Sequence, residues 1–160
     1  MLARPLMLLG AWAVACSSAA FDGQVYRNDE VAFRVGPVPG NWRRIQTEGA
    51  LLAFRDDSRG ATVAVNARCG KDGDDVPLES LTHHLFLHFT DRRVVSQERS
   101  MLDGREALKT ELSAKLDGVP KHFSVLVLKK DGCVYDFLEI RDTESGEDFD
   151  RFVRGFGTVS

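Results

Sequence analysis

Three cysteines, four histidines and a cluster of aspartates are the side chains of this 160-residue sequence with the chemistry to bind a metal, cross-link or carry an attached group. His84 and His88 stand four apart, with His83 beside them, and that spacing places two imidazoles on one side of a helix where they could share Zn²⁺. Two ligands do not complete a site. The remaining histidine, His122, falls in a strand-like run, and no Glu adjoins His84 as an HExxH helix would require. His84 and His88 are therefore weak metal candidates, better explained as boundary positions on the polar side of an apolar helix stripe. Asp72, Asp74 and Asp75 offer oxygen ligands for Ca²⁺ but lack the EF-hand's ligand order and distal Glu. A solvated loop that favours the next helix's positive end accounts for them. For nucleophilic catalysis, no GxSxG or SxxK elbow organises the serines, and Cys133, beside Asp131-Gly132, has no recognisable catalytic context. The pairs Arg43-Arg44 and Arg92-Arg93 could meet a phosphate or carboxylate, yet read more simply as surface arginines at strand ends. The expectation is a protein without metal, cofactor or enzymatic chemistry.

The cysteines carry more. Residues 1–15 hold Arg4, Pro5 and then an apolar run of about ten residues, Leu6 to Ala15, ahead of Cys16. At ~1.5 Å per helical residue this run is too short to cross a ~30 Å hydrocarbon core, and it has no amphipathic period that would suit a helix of the fold. It reads as a secretory leader. Ala13-Val14-Ala15 satisfies the small-x-small rule for ordinary cleavage, while Ala13-Val14-Ala15-Cys16 resembles the lipobox of bacterial lipoproteins, departing from it in having Ala13 where Leu is usual. The lipoprotein alternative makes Cys16 the acylated N-terminus, with 16–23 a short lipid-anchored tether and 24–160 one domain. Resemblance to the Gram-negative sorting pattern, through Ser17 rather than Asp, adds the outer membrane and its periplasmic face as the destination. Acylation of Cys16 leaves Cys69 and Cys133, an even pair in an exported protein where disulfides persist. If their strands are antiparallel neighbours they lie at one end of a sheet and bridge; otherwise they are two buried free thiols.

Composition bounds what these groups sit on. The chain is 43% hydrophobic and 28% charged with a formal charge of −3, which fits one globular domain and gives no basic field for nucleic acid. Val25 to Arg27, Val31 to Val35, a segment opened by Trp42, Leu51 to Arg55 and Ala61 to Arg68 read as short strands, the last with Val63, Val65 and Ala67 on one face. Pro77 starts a helix whose stripe, Leu78, Leu81, Leu85 and Phe89, carries it to about Asp91. Asp103-Gly104, Asp117-Gly118 and Asp131-Gly132 then divide four antiparallel strands, Asp-Gly between alternating runs being a strong hairpin signal. Arg105 to Leu116 contains good helix formers, but its alternation and flanking turns favour strand. Ser145 is the candidate N-cap of a last helix bearing Phe149, Phe152, Val153 and Phe156 on one side. Phe123 to Leu128 and Val134 to Ile140 are apolar on both faces, which suits central strands covered from two sides.

This order, with Phe33, Pro39-Gly40-Asn41-Trp42, Leu102-Asp103-Gly104-Arg105-Glu106-Ala107 and Val134-Tyr135-Asp136-Phe137, resembles the PsbP-like family over about residues 24–157. The resemblance implies an α+β fold, an α-β-α sandwich with a mostly antiparallel sheet and one helix on each face. It also implies non-catalytic docking onto a larger partner, here an envelope protein. The alternative from the residues is a periplasmic module for a small ligand or metal, using the first helix and the Asp72 to Asp75 loop.

Overall fold

The computed structural model describes residues 19–70, 75–144 and 146–159. Where Pro, Gly and Asp recur every few residues the strands are short: β1 (Ala20–Phe21), β2 (Val25–Arg27), β3 (Ala32–Arg34) and β4 (Arg43–Ile45). Longer uninterrupted runs give β5 (Leu52–Asp56) and β6 (Ala61–Cys69), followed by α1 (Leu78–His84). The second half contains β7 (Thr90–Leu102), β8 (Arg105–Leu116), β9 (Val119–Lys130), β10 (Cys133–Arg141), α2 (Glu147–Arg154) and β11 (Gly157–Thr158). The Asp-Gly turns do what their composition predicts. Asp103, Asp117 and Asp131 have φ of 47°, 50° and 53° and are each followed by a glycine at positive φ, as a two-residue hairpin matched to strand twist requires.

Two antiparallel sheets result, one in the order β1-β2-β3-β11 and one in the order β4-β5-β6-β10-β9-β8-β7. The alternation along the central strands sorts side chains into two clusters. Leu126 and Leu128 of β9, Phe137 of β10, and Val63 and Val65 of β6 pack with Phe33 and with Phe149, Phe152 and Phe156. Phe123, Val125 and Val127 of β9 pack instead with Leu108 and Leu112 and with Leu78, Leu81 and Phe86. Each helix thus contributes to a different cluster.

Three expectations need correction. The first helix ends at His84, not near Asp91: the N–H groups of Leu85 and Phe86 turn back to the carbonyls of Thr82 and His83, tightening the chain into short turns. Its apolar period continues past that point because Phe86 and Phe89 still face the core, where Phe89 stacks on Phe123 with ring centroids 4.6 Å apart. The span 16–23, expected to be tether, contains β1, whose Phe21 meets Phe54 edge-on and lies beneath the guanidinium of Arg44. Finally, Gly146 occupies the N-cap of α2; Ser145 falls outside the described residues.

The last helix is seated by an ion-pair bridge and by bare backbone. Arg59 reaches from the β5–β6 turn to both the buried Asp56 and Asp148 in the first turn of α2. Gly155 lies so close to Gly36 that a Cβ built on it would stand 2.2 Å from the Gly36 Cα, and the Gly36 N–H donates to the Phe152 carbonyl at 2.8 Å. Neither glycine has positive φ, so closeness of approach, rather than backbone freedom, explains them.

Candidate functional site

Cys69 and Cys133 are bonded to each other across β6 and β10, directly opposite in register with Cα atoms 4.0 Å apart. The sequence-level alternative of two free thiols is thereby replaced. Cys16, Asp72 and Asp74 lie outside the described residues. His84 closes α1 and His88 follows it in a turn; both are exposed, and the helix that was to align them has ended. Among the described residues, no three His, Cys, Asp or Glu side chains gather as a metal would need. Arg43 is paired with Asp57, Arg44 covers Phe21, Arg92 donates to the Phe86 carbonyl, and Arg93 borders a cleft.

The most exposed element is β7. It is an edge strand thirteen residues long, hydrogen-bonded to β8 on one side only, and nearly every residue along it is exposed. Val94 stands opposite Leu112 of the α1-side cluster and Val95 lies toward α2, and register shifts fall between Thr90 and Arg93 and between Val94 and Ser96. Val95 is 67% exposed and Met101 70%, with Val94 also open. A long edge with apolar side chains on both faces is the geometry of a template for another strand.

Beside it, between the sheet and α2, lies a polar cleft of about 530 Å³ bordered by Arg93, Lys109, His122, Glu147 and Asp150. Its depth holds a polar network centred on Arg141. Arg141 donates through Nη1 to Ser124 Oγ at 2.5 Å and Glu139 Oε2 at 2.8 Å, and through Nη2 to Glu111 Oε2 and the Glu144 carbonyl, both at 3.0 Å. Lys109 joins Glu111 to Asp150. Burial pushes the Glu139 carboxyl up to about 7, helped by the negative charges of Glu111 and Asp148 and opposed by Arg141. These groups bond to one another, save Arg141 Nε, which is buried without a hydrogen-bond partner among the described residues, and they lie against the start of α2, since a Cβ on Gly146 would approach Glu139, Ser124 and Arg141 within 3.2–3.3 Å.

A second groove, of about 460 Å³, opens on the other face of β6 and β10, with the buried Asp136 at one end. Asp136, Glu139 and Arg141 are not marked by the apolar pattern of their strand. The available signal was the charges themselves: an ionisable residue inside a strand expected to be covered on both sides must be paired or functional.

No family model matches the chain, and no curated protein matches it. The fold nevertheless defines a class: α+β with mostly antiparallel sheets and two helices, PsbP-like in its structural neighbours. One neighbour is the solution structure of cyanobacterial PsbP (CyanoP) from Synechocystis, 14% identical with a TM-score of 0.58, the match covering 98% of this chain and 100% of that one. Another is LpqN of Mycobacterium tuberculosis, described as involved in cell envelope biogenesis, 13% identical with a TM-score of 0.58 over 90% of this chain and 91% of that one. A protein from Bacteroides thetaiotaomicron is 9% identical with a TM-score of 0.54 over 80% of this chain, which spans 45% of its length. At these identities the likeness concerns the fold. No helix among the described residues is long and apolar enough to cross a membrane.

Proposed function

We propose that this chain is a non-catalytic accessory module of the cell envelope, held to the periplasmic face of the outer membrane by acylated Cys16, with residues 24–160 as its single PsbP-like domain. The two apolar clusters support an α-β-α sandwich with α1 and α2 on opposite faces of the larger sheet. The observation that carries the binding role is the free edge of β7, long, exposed and apolar in the positions of Val94, Val95 and Met101. An envelope protein adding a strand there gains main-chain hydrogen bonds for affinity and side-chain contacts on both faces for choice of partner. The envelope neighbour of the same fold agrees with that location.

Two measurements test this. Cys16→Ser is expected to abolish fatty-acid labelling and to release the protein from the membrane fraction or leave it with an uncleaved leader; unchanged labelling overturns the anchor. A photo-crosslinking residue at Val95 in the anchored full chain is expected to capture one discrete partner. Val94→Lys and Met101→Lys, which put charges at exposed apolar positions of the edge, should each reduce that capture several-fold with circular dichroism unchanged. Equal capture by both variants sinks β7 as the docking element.

A further inference from the structure

The groove over β6 and β10 has a composition unlike the rest of the surface. Its floor is built from Thr62 and Ala64 on β6 and from Leu138 and Ile140 on β10, and Ile45 and Leu85 form its sides. Ala64 stands directly opposite Leu138 in the ladder, so a methyl faces an isobutyl group and the difference in size opens the trough. Its volume of about 460 Å³ suits a small organic molecule. At one end is Asp136, only 5% exposed, whose two oxygens lie 2.9 and 3.1 Å from one nitrogen of Arg68. That is its one partner among the described residues. A carboxylate can accept about four hydrogen bonds, so much of this one's capacity is unused. Arg68 is 48% exposed, and Asn66, which stands opposite Asp136 in the ladder, does not donate to it. Glu48, also on the border, makes the groove acidic in sum.

We propose that this groove binds a small organic cation, a primary or secondary amine with an aliphatic or single-ring body, its ammonium group on Asp136 and its body over Ala64, Leu138 and Ile140. The ammonium supplies the donors that Asp136 lacks, and the body covers apolar surface that neither helix covers. Burial raises the Asp136 carboxyl to about 6 despite Arg68, which agrees with a carboxylate short of positive partners. An anionic amphiphile of the same shape meets two carboxylates, Glu48 and Asp136, against the single cation Arg68. The site is on the face away from the α2 cleft and requires nothing of β7.

Titration calorimetry with the disulfide-intact protein tests the proposal, using n-hexylammonium and cyclohexylmethylammonium as probes with hexanoate and hexanol as matched controls. Saturable one-to-one binding is expected for the two amines at millimolar concentration or below, with hexanoate and hexanol at least about tenfold weaker. Asp136→Asn keeps the shape and removes the charge, and should weaken the amines by about tenfold or more. Ala64→Phe fills the trough and should abolish binding of both; it keeps the question open to measurement if Asp136→Asn does not fold. Amine binding that is absent, that hexanoate matches, or that survives Ala64→Phe overturns the inference.

Discussion

Loss of the Cys69–Cys133 bridge is expected to cost about 4 kcal/mol, because its cysteines are 64 positions apart and the reduced chain regains the entropy of opening that loop. For a fold whose whole stability is ~5–15 kcal/mol, this is a large fraction. Urea unfolding of Cys69→Ser/Cys133→Ser, or of the natural sequence under reductant, should show a midpoint lower by about 2 M at a slope of ~2 kcal/mol/M. A shift below about 0.5 M would mean that strand pairing between β6 and β10 holds the register without the bond. The bridge also ties the site to a compartment, since it endures where thiols are not kept reduced.

Arg141→Met is expected to destabilise the protein by about 3–5 kcal/mol at pH 8, since Glu139, itself 2% exposed, is left as a buried carboxylate without its cation. Near pH 5 the loss should be smaller, because Glu139 then takes a proton. The unaltered protein has a related pH profile. Glu139 and Asp136 have folded values raised to about 7 and about 6, from ordinary values of 4.5 and 3.8. Between those limits the folded form retains protons that the unfolded chain has released, so stability falls as pH rises from about 4 to 7. Asp56 is held low chiefly by hydrogen bonds from Ser58 and Arg59, and Asp57 by those from Arg43 and Arg55. Their stabilisation is present above the ordinary value of 3.8 and disappears as pH drops through their lowered values. Maximum stability is therefore expected at roughly pH 4–5. Urea midpoints from pH 3 to 8 check this, and Glu139→Gln should flatten the decline above pH 4.5. A midpoint that rises steadily from pH 4 to 7 would show that Arg141 outweighs burial at Glu139.

The strand framework was legible because its signals are local. Asp-Gly specifies its turn through the positive φ of two adjacent residues, and the alternation of Val63, Val65 and Ala67 needs no knowledge of what covers them. Strand β8 shows turn chemistry prevailing over the helix propensity of Glu, Leu and Lys. The disulfide was also within reach, since both cysteines adjoin strand ends. Helix α1 is shorter than its apolar period because burial and helix share a signal: Phe86 and Phe89 recur at the right spacing, yet face the core from successive tight turns. β1 and β11 were missed because a two-residue strand has no period to detect. The candidate site is the least local feature. Asp136 becomes a groove-end carboxylate only when β6 lies beside it in a particular register, and β7 is open because it is the last strand of the larger sheet.

The position of β11 bears on how the molecule is made. Gly157 and Thr158 pair with Arg34 and Phe33, joining stretches of chain more than 120 residues apart into the small sheet. Contacts so distant in the chain demand a large loop closure before they contribute anything, and they slow folding. A polypeptide emerging from its N-terminal side cannot complete that sheet until residues 157 and 158 have appeared. Phe33, which lies against Phe156 and Tyr135, waits uncovered meanwhile. Completion of the small sheet thus waits for residues 157 and 158, a delay during which the early strands depend on whatever keeps them from aggregating.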